Sequence, residues 1–299
     1  MGDTPFFESE LFAELSEDLK ASSRFTATYR IKASDYEEAK KLAFGICVEQ
    51  TVECPYELVE DTPIGDTIVG QIESINKADP GAYYAVISYD PDAVGHEMSE
   101  LVNMFFGNTS LQPGIRLMSF ELPDFMYNDY PGPRFGREGI RELCGVEHGP
   151  ILMSAIKPLG KSPKELAEMV YKLALGGCPI IKDDHSLMNQ DYAPFEERGL
   201  QMLDRAYKAQ EIGADGIMVA PALTGFTLIR DLARDPEFHL PIFLHPCFSG
   251  SLVLSEDSGM SPFCYYGQLS RLIGADAAIF TSFGGRFSFS VDTCQKICE

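Results

Sequence analysis

From about His148 onward, short apolar runs alternate with amphipathic stretches, and that pattern confines the second half of the chain to parallel βα units. The runs are Ile151 to Ile156, Pro179 to Ile181, Gly216 to Ala220, Pro241 to Leu244 and Ala277 to Thr281. Two of them follow the same tripeptide, Gly213-Ala214-Asp215 and Gly274-Ala275-Asp276, and Gly176-Gly177 stands in the same place before another. A glycine that ends a helix just before a buried strand is what an αβ loop requires, because the chain turns there through a left-handed conformation. Polar residues gather where the runs end: Lys157, then Lys182-Asp183-Asp184-His185, then His245, then Thr281-Ser282. In a parallel barrel that edge is the functional face.

The first half follows a different pattern. Phe25 to Ile31 alternates apolar and polar positions with β-branched and aromatic residues, which predicts a strand. Asp35 then offers an N-cap, with Glu37 and Glu38 in the first turn of a helix. Strand-like runs follow at Thr67 to Ile75 and Tyr83 to Tyr89, then a helix-like stretch from Met98 to Phe106, then a strand-like run from Ile115 to Leu122. This is an α+β module of ferredoxin-like type. The Pro/Gly/Asn-rich stretch from Asn128 to Gly136 is the natural boundary, so the expected domains are 1–136 (α+β) and 137–299 (β/α barrel).

The 299 residues suit two domains. A formal charge of −21 opposes phosphate backbones and anionic lipid surfaces, so neither nucleic acid nor a membrane is an expected partner. A small anion remains possible where a few Lys and Arg gather. The acidic N-terminal stretch lacks the pattern of a signal peptide, and the 8 cysteines show no CxxC spacing, which together suggest reduced thiols and a cytoplasmic setting.

Lys182 to His185 is the densest chemical signal. In an extended chain alternate side chains share a face, so Lys182 and Asp184 converge, and His185 joins them where the strand ends. An ammonium has no lone pair, but a lysine carbamate is an anionic oxygen ligand suited to Mg2+. The residues alone leave a second reading open, in which these charges cap a helix and pair with one another.

Several ordered motifs settle on one family. Ala155-Ile-Lys157-Pro, then Gly176-Gly177 and Ile181-Lys-Asp-Asp, resemble the large chain of ribulose bisphosphate carboxylase. His185 stands where the carboxylase has glutamate. With Glu49-Gln-Thr-Val-Glu, Ala193-Pro-Phe-Glu-Glu-Arg and Phe283-Gly-Gly-Arg-Phe-Ser-Phe, the closer likeness is to the non-carboxylating RuBisCO-like proteins, over nearly the whole chain. The resemblance implies that Lys182 carries a carbamate and binds Mg2+ with Asp184 and His185. It implies that Lys157 handles protons around an enediolate, that His245 is a site histidine of the fifth barrel strand, and that Arg286 contacts phosphate. It also implies a homodimer in which Glu49 and Asn108 of one subunit complete the site of the other.

The departures from the carboxylase pattern are equally specific. Pro246, Ser249 and Arg286 stand where it has arginine, histidine and the mobile-loop lysine, which argues against CO2 fixation. Enolisation or isomerisation of a phosphorylated ketose, as in methylthioribose salvage, survives these losses. Only about five of eight barrel strands are recognisable, since Phe195 to Glu211 runs as one helical pattern where the family has a further strand and helix, and the two phosphate-binding strands after Phe283-Gly-Gly-Arg have no counterpart. A fragment, an internal deletion or an incomplete gene reading would each produce this. The alternative function is therefore a catalytically disabled relative that binds a ligand or partner subunit.

Overall fold

The computed structural model describes residues 23–130, 132–158, 160–182, 202–211, 213–285 and 288–299. By their contacts they form two units. The first comprises the chain up to residue 131 with Pro246–Leu272 and Phe280–Glu299, and the second comprises Gly132–His245 with Ile273–Ile279.

The first unit is built on β1 (Phe25–Lys32), α1 (Tyr36–Glu49), β2 (Gln71–Asp79), β3 (Ala82–Tyr89), α2 (Met98–Phe106) and β4 (Ile115–Glu121). The strands order as β2-β3-β1-β4 with antiparallel neighbours, the βαββαβ arrangement of a ferredoxin-like fold. The alternation in β1 has its reason in the core, where Phe25, Ala27, Tyr29 and Ile31 are all fully buried. Asp35 caps α1 as its sequence predicts, its carboxylate accepting the Glu38 N–H at 2.9 Å. One boundary moves: Thr67 ends a short helix, Pro63–Thr67, that Thr62 caps, and the strand expected from Thr67 begins at Gln71. Pro63 at the first helical position, with the Thr62 side chain accepting the Gly65 N–H, explains why those residues do not extend.

Residues 246–272 carried no predicted element, yet they finish this sheet. The two-residue strand Gly259–Met260 pairs in parallel with β4. Beyond it Gln268 acts in place of a strand, accepting the Phe120 N–H at 3.1 Å and donating to the Phe120 carbonyl at 2.7 Å. Gln268 lies in a π-helix, Phe263–Leu269.

The second unit contains α3 (Gly136–Cys144), β5 (Met153–Ala155), α4 (Pro163–Leu175), β6 (Ile180–Lys182), α5 (Met202–Glu211), β7 (Ile217–Val219), α6 (Phe226–Arg234), β8 (Ile242–Leu244) and a strand at Ala277–Ala278. Every apolar run singled out in the sequence holds a strand, in most cases three residues long. β5 pairs in parallel with β6, while β7, β8 and Ala277–Ala278 form a separate parallel sheet, and among the described residues no sheet closes. The loop glycines are left-handed as expected, Gly177 at φ +81°, Gly213 at +86° and Gly274 at +88°. Gly274 is also a close approach, since a Cβ there would lie 2.3 Å from that of Ala233. In the tripeptide Gly274-Ala-Asp276 the aspartate does more than turn the chain. Its carboxylate accepts the Phe135 and Gly136 N–H groups at the start of α3, at 2.6 and 2.9 Å, and the Ile242 N–H at the start of β8, at 2.9 Å. Among the described residues no helix is long and apolar enough to cross a membrane.

Candidate active site

Two lysines stand at the C-terminal ends of the paired strands β5 and β6. Ala155 lies opposite Lys182, and the Ile156 N–H donates to the Lys182 carbonyl at 3.0 Å. Lys157 follows two residues after the last of β5, past the buried Ile156. Parallel pairing in this register puts both lysines at the C-terminal edge, which is why the sequence finds each of them just after an apolar run. Lys182 is half-buried and Lys157 is exposed.

His245 ends β8 in the other sheet, its N–H donating to the Val219 carbonyl at 2.7 Å. The C-terminal ends of β5, β6 and β8 thus carry Lys157, Lys182 and His245 respectively. Asp183, Asp184, His185 and Arg286 lie outside the described residues, and with them most of the expected metal set and the phosphate contact. Among the described residues no three His, Cys, Asp or Glu side chains cluster as a metal site would require. Lys182 itself fits a role as one oxygen ligand on two counts: it stands on an ordered strand end beside Lys157, and as a carbamate it would offer the hard anionic donor that Mg2+ prefers.

In the first unit, Glu49 is the last residue of α1 and Asn108 begins the turn after α2. They are far apart in sequence but touch, Asn108 Nδ2 donating to Glu49 Oε1 at 3.1 Å. Gly107 makes the turn possible, because a Cβ there would fall 2.6 Å from the Asn103 carbonyl. Sequence reasoning passed over Gln50, which is buried directly beneath this pair. Its side chain donates to the Asn103 and Met104 carbonyls at 2.7 and 2.8 Å and accepts the Thr109 N–H at 2.9 Å. A glutamine at a helix end reads as surface, so the only signal available was its place inside the Glu49-Gln-Thr-Val-Glu motif.

Comparison with known proteins identifies the family. Residues 138–213 match the family model of the ribulose bisphosphate carboxylase large chain, catalytic domain. The 5-methylthioribulose-1-phosphate isomerase of Rhodospirillum rubrum is 34% identical over 309 aligned positions, covering 93% of this chain and 80% of that protein. This chain is a RuBisCO-like protein. It belongs to the ribulose bisphosphate carboxylase large-chain family, as its motifs implied. A 2,3-diketo-5-methylthiopentyl-1-phosphate enolase of Bacillus pumilus is 30% identical, with 87% of this chain and 73% of that one covered. Among solved structures, the RuBisCO-like protein of Rhodopseudomonas palustris superposes with a TM-score of 0.81 at 33% identity, covering 92% of this chain and 82% of that one. The expected architecture, an α+β N-terminal domain followed by a barrel-type domain, is that of the RuBisCO-like fold.

Proposed function

We propose that this RuBisCO-like protein enolises or isomerises a phosphorylated ketose of the methylthioribose-salvage kind and does not fix CO2. The observation that carries the reading is the pairing of the Lys157 and Lys182 strand ends, supported by relatives named as an isomerase and an enolase of such substrates. Lys182 as a carbamate, with Asp184 and His185, would hold Mg2+, which when bound stabilises negative charge on the substrate oxygens. Lys157 takes the proton from the carbon beside the carbonyl and returns it to the product. His245 is a polar contact at the same edge, and Arg286 holds the phosphate. Glu49 and Asn108 act on the site of a second copy, so the active form is a homodimer.

The test is turnover of 5-methylthioribulose 1-phosphate and of 2,3-diketo-5-methylthiopentyl 1-phosphate, with Mg2+ and bicarbonate. Lys157→Met should lower kcat by at least about 100-fold, the scale of losing a general acid or base. Lys182→Ala should abolish both turnover and the Mg2+- and bicarbonate-dependent rise in melting temperature. Equal rates in wild type and Lys157→Met would overturn the reading.

A second reading, a binding subunit without turnover, is favoured by one observation. Of the 309 positions aligned with the Rhodospirillum isomerase, 93% of the 299 residues supplies about 278, so about thirty positions of that protein have no counterpart here. On this reading the barrel lacks a strand and helix, and substrate phosphate is held too loosely, a cost of about 100-fold for a displacement near 1 Å. Restoring the missing segment should then raise the rate by that factor.

A further inference from the structure

We infer that Gln50 is the positioning residue that sets the spacing of Glu49 and Asn108, an inference that rests on the proposed role of that pair. The contact between Glu49 and Asn108 is exposed and single, so it cannot by itself fix where the two side chains stand. What joins their backbones is the side chain of Gln50, only 7% exposed. Its NH2 group bonds the Asn103 and Met104 carbonyls in the last turn of α2, where the Asn103 carbonyl also accepts the Gly107 N–H at 2.7 Å. Its carbonyl accepts the N–H of Thr109, the residue after Asn108. Glu49 precedes Gln50 directly, so one amide ties the end of α1 to both sides of the Gly107-Asn108 turn.

The chemistry admits few substitutes. Three partners must be met, two acceptors and one donor, and only a neutral amide or a protonated carboxyl offers both kinds of group at that reach. Leucine would take the buried partner from the Met104 carbonyl and from the Thr109 N–H, and would leave the Asn103 carbonyl only the Gly107 N–H. Glutamate would set a negative charge against the two carbonyls at neutral pH, and would regain a donor once protonated. The adjacent Thr109 is fully buried and its hydroxyl has no hydrogen-bond partner among the described residues, so it gives the turn no second anchor there.

The side-chain amide of Asn108, followed by NMR in the 15N-labelled full chain and assigned by its loss in Asn108→Ser, reads the spacing without requiring turnover. In wild type this signal should shift on Glu49→Gln. In Gln50→Leu it should move to the position of a solvated asparagine and no longer respond to Glu49→Gln. In Gln50→Glu, the closer mimic should Gln50→Leu fail to fold, the wild-type position should be lost at pH 7 and recovered on acidification through the carboxylate range. An Asn108 signal that stays put in Gln50→Leu, or in Gln50→Glu at every pH, overturns the inference. Kinetics separate it from the reading beneath it. If the pair works in the site, Gln50→Leu should lower kcat about 10- to 100-fold with a much smaller change in KM, as a misplaced group does. A wild-type kcat in Glu49→Gln overturns the catalytic role of the pair, whatever the spectra show.

Discussion

Strand β1 of the first unit and strands β5, β6 and β7 of the second bury their residues to different degrees. Of the eight residues of β1, six are buried, whereas every residue of β5, β6 and β7 is only half-buried. Helices α1 and α4 differ in the same way: α1 buries Ala39, Ala43, Ile46 and Cys47, while α4, of similar length, buries no described residue, although α6 of the same unit buries Ile229, Arg230, Leu232 and Ala233. Antiparallel neighbours can be joined by two residues, as at Gly81 between β2 and β3, so long strands align early and their side chains fill a shared core. Parallel strands each need a crossover, and three-residue strands cross-pair little apolar surface. β1 and α1 therefore rest on packing, and β5, β6, β7 and α4 leave more to directed polar contacts.

The sharpest way to break this contrast is in the first core. Phe105 is 1% exposed, stacks on Phe120 at 4.6 Å and meets Phe25 edge-on at 5.6 Å. Its carbonyl accepts the Tyr29 hydroxyl at 2.7 Å, and burial holds that hydroxyl far above the usual tyrosine range, so it stays a donor. Phe105→Ala should cost about 3–5 kcal/mol in urea unfolding followed at residues of the first unit. A loss below about 1 kcal/mol would mean the core is not as tightly filled as its burial implies.

In the second unit the comparable break is polar. Asp276→Ala removes the acceptor for three backbone N–H groups at two element starts and should cost about 2–4 kcal/mol. Asp276→Asn keeps the acceptor oxygen on one side and should recover about half. Asp215, which occupies the same place in the sister tripeptide, is exposed, so Asp215→Ala should change stability little. Equal effects at the two aspartates would remove the distinction.

What the sequence could reveal follows the same line. The alternation of β1 and the spacing of α2 from Met98 to Phe106 are long enough to read, and both elements form there. The five apolar runs of the second half are legible as strands because their glycines mark the turns, although periodicity overstates their length. Lys157 and Lys182 stand out because a polar residue directly after such a run is conspicuous, and neighbouring runs pair. The contact between Glu49 and Asn108 is different: no local pattern links two residues that meet only through tertiary packing, and only the family resemblance named them together. Gln50, Gln268 and Asp276 were missed for one reason. A polar side chain that serves buried backbone groups looks, in sequence, like surface.

The smallest effect is the most specific to the comparison, because it concerns how α4 holds its N-terminus when none of the helix's described residues is buried. Ser162 accepts the Glu165 N–H at 3.4 Å, and Glu165 in turn accepts the Ser162 N–H at 2.9 Å and its hydroxyl at 2.8 Å, a reciprocal cap. Glu168 and Lys172 pair one turn apart at 2.8 Å, a surface contact worth a few tenths of a kcal/mol. Ser162→Ala should cost about 1 kcal/mol, read as roughly fivefold faster hydrogen exchange confined to α4, with α1 unchanged. The same cap gives α4 a pH dependence with a definite sign. The Ser162 N–H and hydroxyl, and then Lys161, hold the Glu165 carboxyl below its ordinary value of 4.5. The folded helix thus favours the carboxylate, so this contribution is complete above that ordinary value and is lost as pH falls through the lowered one. Exchange in α4, corrected for its intrinsic pH dependence, should accelerate below about pH 4.5 in wild type and show no such step in Glu165→Gln. A step of equal size in both proteins would place the acid sensitivity elsewhere and leave α4 anchored by packing after all.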